Sequence, residues 1–183
     1  MPVNLYQPFT NAVTGETFRC ISSSDEAYIS EWIVRPSGFV PFEHVHPNQE
    51  ETFHIKQGEL RARINGRETV VVVGQSVTIP RGARHIAANN TSGTLVCILE
   101  YRPGLDSYKV FQCFGGLSLD GDTNRSGIVN PPKMLYFLAK INAKTQAIPT
   151  YMPAWFFYFG IKVFYVIGSI LGWEKLYKKY TGE

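Results

Sequence analysis

Three histidines and one glutamate stand in this sequence at spacings that let them grip a single metal ion: His44, His46, Glu51 and His85. Side chains two apart on a strand point to one face, so His44 and His46 present both imidazoles to a common point. Glu51 opens the next apolar run and, by the same alternation, shares an inner face with Phe53 and Ile55. Pro80 and Gly82 mark a turn before His85, which brings a fourth ligand in from a partner strand. Three neutral imidazoles and a carboxylate suit one divalent iron, manganese, nickel, copper or zinc ion better than calcium or magnesium, which prefer oxygen shells. Ligand type does not choose among those metals.

The four residues belong to two longer frames. The first runs Gly38, five residues, His44, one residue, His46, four residues, Glu51, six residues, Gly58. The second runs Gly74, five residues, Pro80, one residue, Gly82, two residues, His85, three residues, Asn89. Position for position, these blocks resemble the paired motifs of the cupin superfamily, and the fifteen residues between them fit its compact microbial members. The resemblance covers residues 17–114. It implies a mainly β fold, a double-stranded β-helix or jelly-roll barrel, with His44, His46, Glu51 and His85 as metal ligands. Family spacing also admits Glu50, but the distance to Gly58 matches from Glu51, and Glu50 would face out.

Cupins share a frame across dioxygenases, isomerases, decarboxylases, lyases and proteins that only bind, so the frame implies a site more readily than a reaction. The leading expectation is a metal-dependent enzyme acting on a small, hydrophobic molecule, most simply an iron or manganese oxygenase of the dioxygenase type. Iron and manganese are the favoured metals on that reading, since four protein ligands leave two positions on an ion that takes six. Glu51 would supply charge and, on detaching, a catalytic base. The alternative is a non-catalytic metal-containing cupin that binds a ligand. An isomerase or epimerase ranks last, because it would call for a histidine–aspartate base pair and His54 alternates outward.

Around the frames, short apolar runs alternate with turn signals, the pattern of an all-β sandwich or barrel. Strands are expected at 17–21, 27–34, 39–46, 51–57, 59–64, 67–73, 76–79, 84–89, 94–101 and 108–114. Asn65-Gly66 marks a two-residue hairpin, because both residues tolerate positive φ. The domain reading is an N-terminal arm at 1–16, the barrel at 17–114, a Gly/Pro-rich linker at 115–131 and a helical extension at 132–183. Asp120, Asp122 and Asn124 have the spacing that opens a calcium loop, but Arg125 and Pro131 stand where that loop needs glycine and glutamate. Arg81 and Arg84 flank the turn before His85 and read as a solvated rim.

The extension has its own character. Met134, Leu135, Phe137, Leu138 and Ile141 recur at helical spacing, and after Pro149 and Pro153 a twenty-residue apolar and aromatic run covers 154–173. That length just spans a bilayer, but Lys162 near its middle opposes insertion. Three readings stay open: helices capping the barrel or a homodimer contact, a helix lying on a membrane surface, and a span. Residues 1–127 carry a net charge of −2, and 128–183 a net charge of +5. Nucleic acid is therefore not an expected partner, whereas an anionic membrane surface is open to the tail. No basic segment followed by an apolar stretch occurs in the first thirty residues, and the three cysteines form no C-x-x-C pair. Those features suit a cytoplasmic protein, with peripheral attachment to the inner face of the membrane as an option.

Overall fold

A computed structural model describes residues 1–183. In chain order the strands are β1 (Phe9–Asn11), β2 (Glu16–Ser23), β3 (Tyr28–Val34), β4 (His44–Val45), β5 (Glu50–Gln57), β6 (Glu59–Ile64), β7 (Arg67–Val72), β8 (Ser76–Ile79), β9 (His85–Ala88) and β10 (Leu95–Arg102). Then come helix α1 (Ser107–Leu119), helix α2 (Pro131–Ile141), strand β11 (Ile148–Pro149) and helices α3 (Ala154–Ile170) and α4 (Glu174–Thr181). Two antiparallel sheets, ordered β1-β2-β3-β10-β5-β8 and β11-β4-β9-β6-β7, face one another as a jelly roll. The fold is mainly β with a helical extension.

Alternation places the core. Along β3 every second residue is buried, ending with Trp32 and Val34, and β10 repeats this with Leu95, Cys97, Leu99 and Tyr101. These side chains meet Leu60, Ala62 and Ala87 from the facing sheet in one apolar cluster. Asn65 and Gly66 both take positive φ and join β6 to β7 in a two-residue hairpin, as their types predict. Cys20, Cys97 and Cys113 are buried and unpaired.

Three expectations need correction. Residues 108–114 are helix, not strand: the apolar residues Val110, Phe111, Phe114 and Leu117 recur at three and four, and the run continues to Leu119, too long for a strand. The barrel-to-linker boundary at 114/115 therefore falls inside α1. Its Gly116 is a packing residue, since a Cβ there would lie 2.3 Å from the Tyr180 ring of α4. Expected strand 39–46 shrinks to His44–Val45, because Pro41 and Pro47 donate no ladder hydrogen bonds; Phe39 keeps one isolated bridge to Ala88. The arm at 1–16 is part of the folded body, with Phe9–Asn11 forming β1 and Glu16 opening β2. Leu5 is fully buried, and Val3 N–H donates to Tyr180 at 2.8 Å, tying the N-terminus to α4.

The extension is built onto the barrel. β11 pairs with β4, placing Ile148 opposite Val45 and Pro149 opposite His44. Asn130 caps α2 by accepting from Lys133 N–H, and Asn142 ends it in the left-handed conformation. Tyr136 and Phe137 of α2 pack with Cys113 and Leu117 of α1 and with Tyr177 and Tyr180 of α4. Asp120 and Asp122, the acids of the rejected calcium loop, instead hold Lys179 and Lys133 and so pin helix to helix. No single helix is long and apolar enough to cross a membrane; α3 and α4 together pass by composition but are bent by 98°.

Candidate metal centre

His44, on β4, is the cross-strand partner of His85 on β9, so two ligands come from one sheet. Glu51 comes from β5 of the other sheet, between Ile79 and Tyr101 on its neighbours. His46 follows β4 by one residue. All four side chains are buried, and one ligand atom from each lies within 4.8 Å of all the others. Glu50 is exposed whereas Glu51 is 4% exposed, so the choice between the two is decided by which side of β5 faces in.

Hydrogen bonds fix each imidazole. Nδ1 of His44 lies 3.0 Å from the Phe42 carbonyl, Nδ1 of His85 3.0 Å from the Ala83 carbonyl, and Nδ1 of His46 2.7 Å from the Gln146 carbonyl. A carbonyl can only accept, so each Nδ1 carries the proton and each neutral ring turns an Nε2 lone pair to the centre. Nε2 of His44 and Nε2 of His46 are then 3.2 Å apart, lone pair against lone pair. Glu51 Oε2 lies 2.7 Å from His85 Nε2 and 3.6 Å from His46 Nε2. Yet neither Glu51 Oε2 nor His85 Nε2 has a well-directed hydrogen-bond partner. Acceptors converging on one point are what a cation satisfies, so the donor set fits a divalent metal ion. Tyr101 donates to the other oxygen, Glu51 Oε1, at 2.8 Å and sets the carboxylate's angle.

Electrostatics follow from the burial. Burial and then the neighbouring His46 and His85 push His44 down to about 3, keeping it neutral. Burial raises the Glu51 carboxyl; without a metal, hydrogen bonds from His46 and His85 hold it well below the usual carboxylate range, an effect that operates only when those rings also carry a proton on Nε2.

The four residues form the floor of a cavity of about 480 Å³ with mostly hydrophobic walls. Phe42, Trp32 and Phe53 line it from the barrel, and Met134, Leu138, Phe156, Phe157 and Val163 from the extension. Two buried ionisable lining groups escaped the sequence reading. Tyr101 is one. Glu16 is the other, 3% exposed, accepting from Trp32 Nε1 at 3.2 Å. The available signal was the position of Glu16 two residues before Phe18, on the same apolar strand face, where a carboxylate is unexpected. His54 faces away, against Ser76 and Glu100. Arg84 is at the rim, paired with Glu43 at 2.8 Å, and Arg81 is exposed.

Burial raises the Glu16 carboxyl from 4.5 to about 7, against the Trp32 hydrogen bond that lowers it. Between those two values the folded chain keeps a proton that the unfolded chain has released. Stability therefore falls as pH rises through that window, by about 3 kcal/mol at about 1.4 kcal/mol per unit. Glu16→Gln keeps an acceptor for Trp32 and removes this loss. Urea unfolding of metal-free protein at pH 5 and pH 8 is expected to show the variant gaining about 3 kcal/mol relative to wild type between the two. Parallel pH dependence of the two proteins would show that Glu16 titrates normally.

A family model described as a cupin domain matches residues 30–100. Among solved structures, KdgF from Halomonas sp. aligns with a TM-score of 0.51 at 13% identity, covering 59% of this chain and 96% of that one. An RmlC-like cupin from Shewanella frigidimarina NCIMB 400 aligns with a TM-score of 0.50 at 15% identity, covering 56% and 87%. An uncharacterized conserved protein with a double-stranded β-helix domain from Klebsiella pneumoniae gives 0.48 at 18% identity, covering 56% and 89%. No curated protein matches in sequence. Identities this low speak for fold and leave activity open. The family match, the two facing sheets and the paired motifs agree: residues 30–100 form a cupin domain within a jelly-roll barrel, which a C-terminal helical extension follows.

Proposed function

We propose that this cupin uses a divalent transition metal, iron or manganese by preference, to oxidise a small hydrophobic molecule with dioxygen. The observation that carries the reading is the position of four converging ligand atoms at the floor of an apolar cavity. A bound iron or manganese ion would supply the electron transfer that dioxygen chemistry needs. The chain's own residues do the rest. His44, His46, Glu51 and His85 hold the ion, and Tyr101 holds Glu51. The aromatic and aliphatic walls exclude water and select an apolar ligand by its desolvation. Glu16 gives the cavity a second carboxyl besides Glu51, one that can hold a proton near neutral pH and hand it on. The lining includes no aspartate and no histidine beyond the three ligands, which weighs against isomerase or epimerase chemistry.

The test is oxygen uptake by protein loaded anaerobically with ferrous iron, over a panel of lipid-soluble phenols, diketones and quinones. At least one compound is expected to raise uptake above the substrate-free rate, and a His44→Ala, His46→Ala variant to abolish the increase. No uptake over the panel would sink the oxygenase reading; saturable ligand binding without product would instead assign the chain to the non-catalytic binding cupins.

A further inference from the structure

Helix α3 has two faces with different surroundings. Phe157, Gly160 and Gly168 lie against α2, where Cβ atoms at the two glycines would come within 3.2 Å of Leu135 and 2.4 Å of Tyr136. The opposite face is covered by nothing. At about 100° per residue, Trp155, Phe159, Lys162, Val166 and Ile170 fall within an arc of about 80°. Trp155, Val166 and Ile170 are 68%, 58% and 79% exposed. Contiguous exposure on this scale marks a surface that meets something apolar.

The composition of the face says what. Lys162 lies halfway along α3 at one edge of the arc, exposed and without an ion pair, and α3 contains no acidic residue. Lysine is depleted from the centres of protein interfaces, where its charge would be buried unpaired. On a bilayer the same side chain can lay its stem along the apolar face and keep its ammonium among headgroups. Tyr158 and Tyr165 border the arc on the Lys162 side with the amphipathic rings that favour that depth. Two of the five net positive charges over 128–183 are neutralised by Asp120 and Asp122, and the remainder, Lys162 among it, favours an anionic surface.

The face is also continuous with the cavity. Phe156 and Phe159 line the cavity and are at the same time 50% and 56% exposed, so the mouth opens beside the docking arc. We propose that α3 seats the protein in the headgroup region of an anionic bilayer, with the cavity mouth turned to the lipid. The docking stands on α3 alone. Only the corollary that the cavity's apolar ligand arrives from the lipid rests on the proposed function.

Sedimentation of the full chain with vesicles tests this, using phosphatidylcholine alone and phosphatidylcholine mixed with phosphatidylglycerol. Wild type is expected to pellet with the mixed vesicles and about tenfold less with the neutral ones. Val166→Asp with Ile170→Asp, neither of which lines the cavity, should lower mixed-vesicle binding about tenfold or more while metal content and thermal unfolding stay unchanged. Lys162→Glu should weaken it severalfold. Failure of wild type to pellet would overturn the proposal, as would undiminished binding by the double variant. A dimer in light scattering that the double variant splits, with no vesicle binding, would overturn it in favour of a second copy. Oxygen uptake in detergent-free buffer is read separately, so loss of docking and loss of the oxygenase reading are distinguishable.

Discussion

Replacing His44 and His46 together by alanine is expected to take metal content from about one ion per chain to below about a tenth, because half of a four-ligand set disappears. Elemental analysis of untagged protein purified without chelator reads this directly. The fold should survive. In the metal-free protein the two Nε2 lone pairs face each other at 3.2 Å, so their removal relieves a repulsion while orphaning two carbonyl contacts. With chelator present, wild type and variant should therefore unfold within about 2 kcal/mol of one another. With free metal at about a thousand times its dissociation constant, wild type alone should gain about 4 kcal/mol. Metal retained equally by both proteins would remove the site from these residues.

Phe137→Ala is expected to lower the unfolding free energy by about 3–5 kcal/mol, the range for emptying a fully buried phenylalanine site. Phe137 is 0% exposed, and its ring packs on Tyr177 and Tyr180. At about 2–4 °C per kcal/mol for a chain of this size, calorimetry should show a fall of roughly 10 °C. The shape of the trace matters as much as the shift. Because α1 ties this cluster to the barrel, through Phe111 and Phe114 against Phe18, a single peak should move as a whole. Two peaks, of which only one moves, would make the extension an independently folding unit.

Most of the barrel was legible, because its strands have one wet and one dry face and their alternation writes that asymmetry into the sequence. β6 and β8 lie where expected, at 59–64 and 76–79. The four candidate ligands were legible for a different reason: fixed spacing from glycines and prolines locates them whether or not the strand between them forms, as the shrinking of 39–46 to β4 shows. What the sequence hid is non-local. A run as short as Tyr108–Phe114 blurs the contrast between helix and strand, because α1 is covered by the barrel on one face and by α2 and α4 on the other; the helical period shows only when the run is followed to Leu117. Glu16 could not be read as a cavity residue because its surroundings come from strands and helices distant in the chain. The extension likewise reads as an appendage until β11 is seen beside β4.

The bond between His46 Nδ1 and the Gln146 carbonyl joins residues one hundred apart, and it carries a consequence for the order of events during synthesis. All four side-chain ligands have left the ribosome once His85 has emerged, yet the acceptor that orients His46 is still to be made. A nascent chain at that stage holds its imidazoles untethered and its β4 edge unpaired, a site of low affinity and poor selectivity. Only when the segment around Gln146 arrives and docks does the ring lock. The distance between ligand and acceptor along the chain thus makes the fully oriented His46 a late product of synthesis, complete only after Gln146 has emerged.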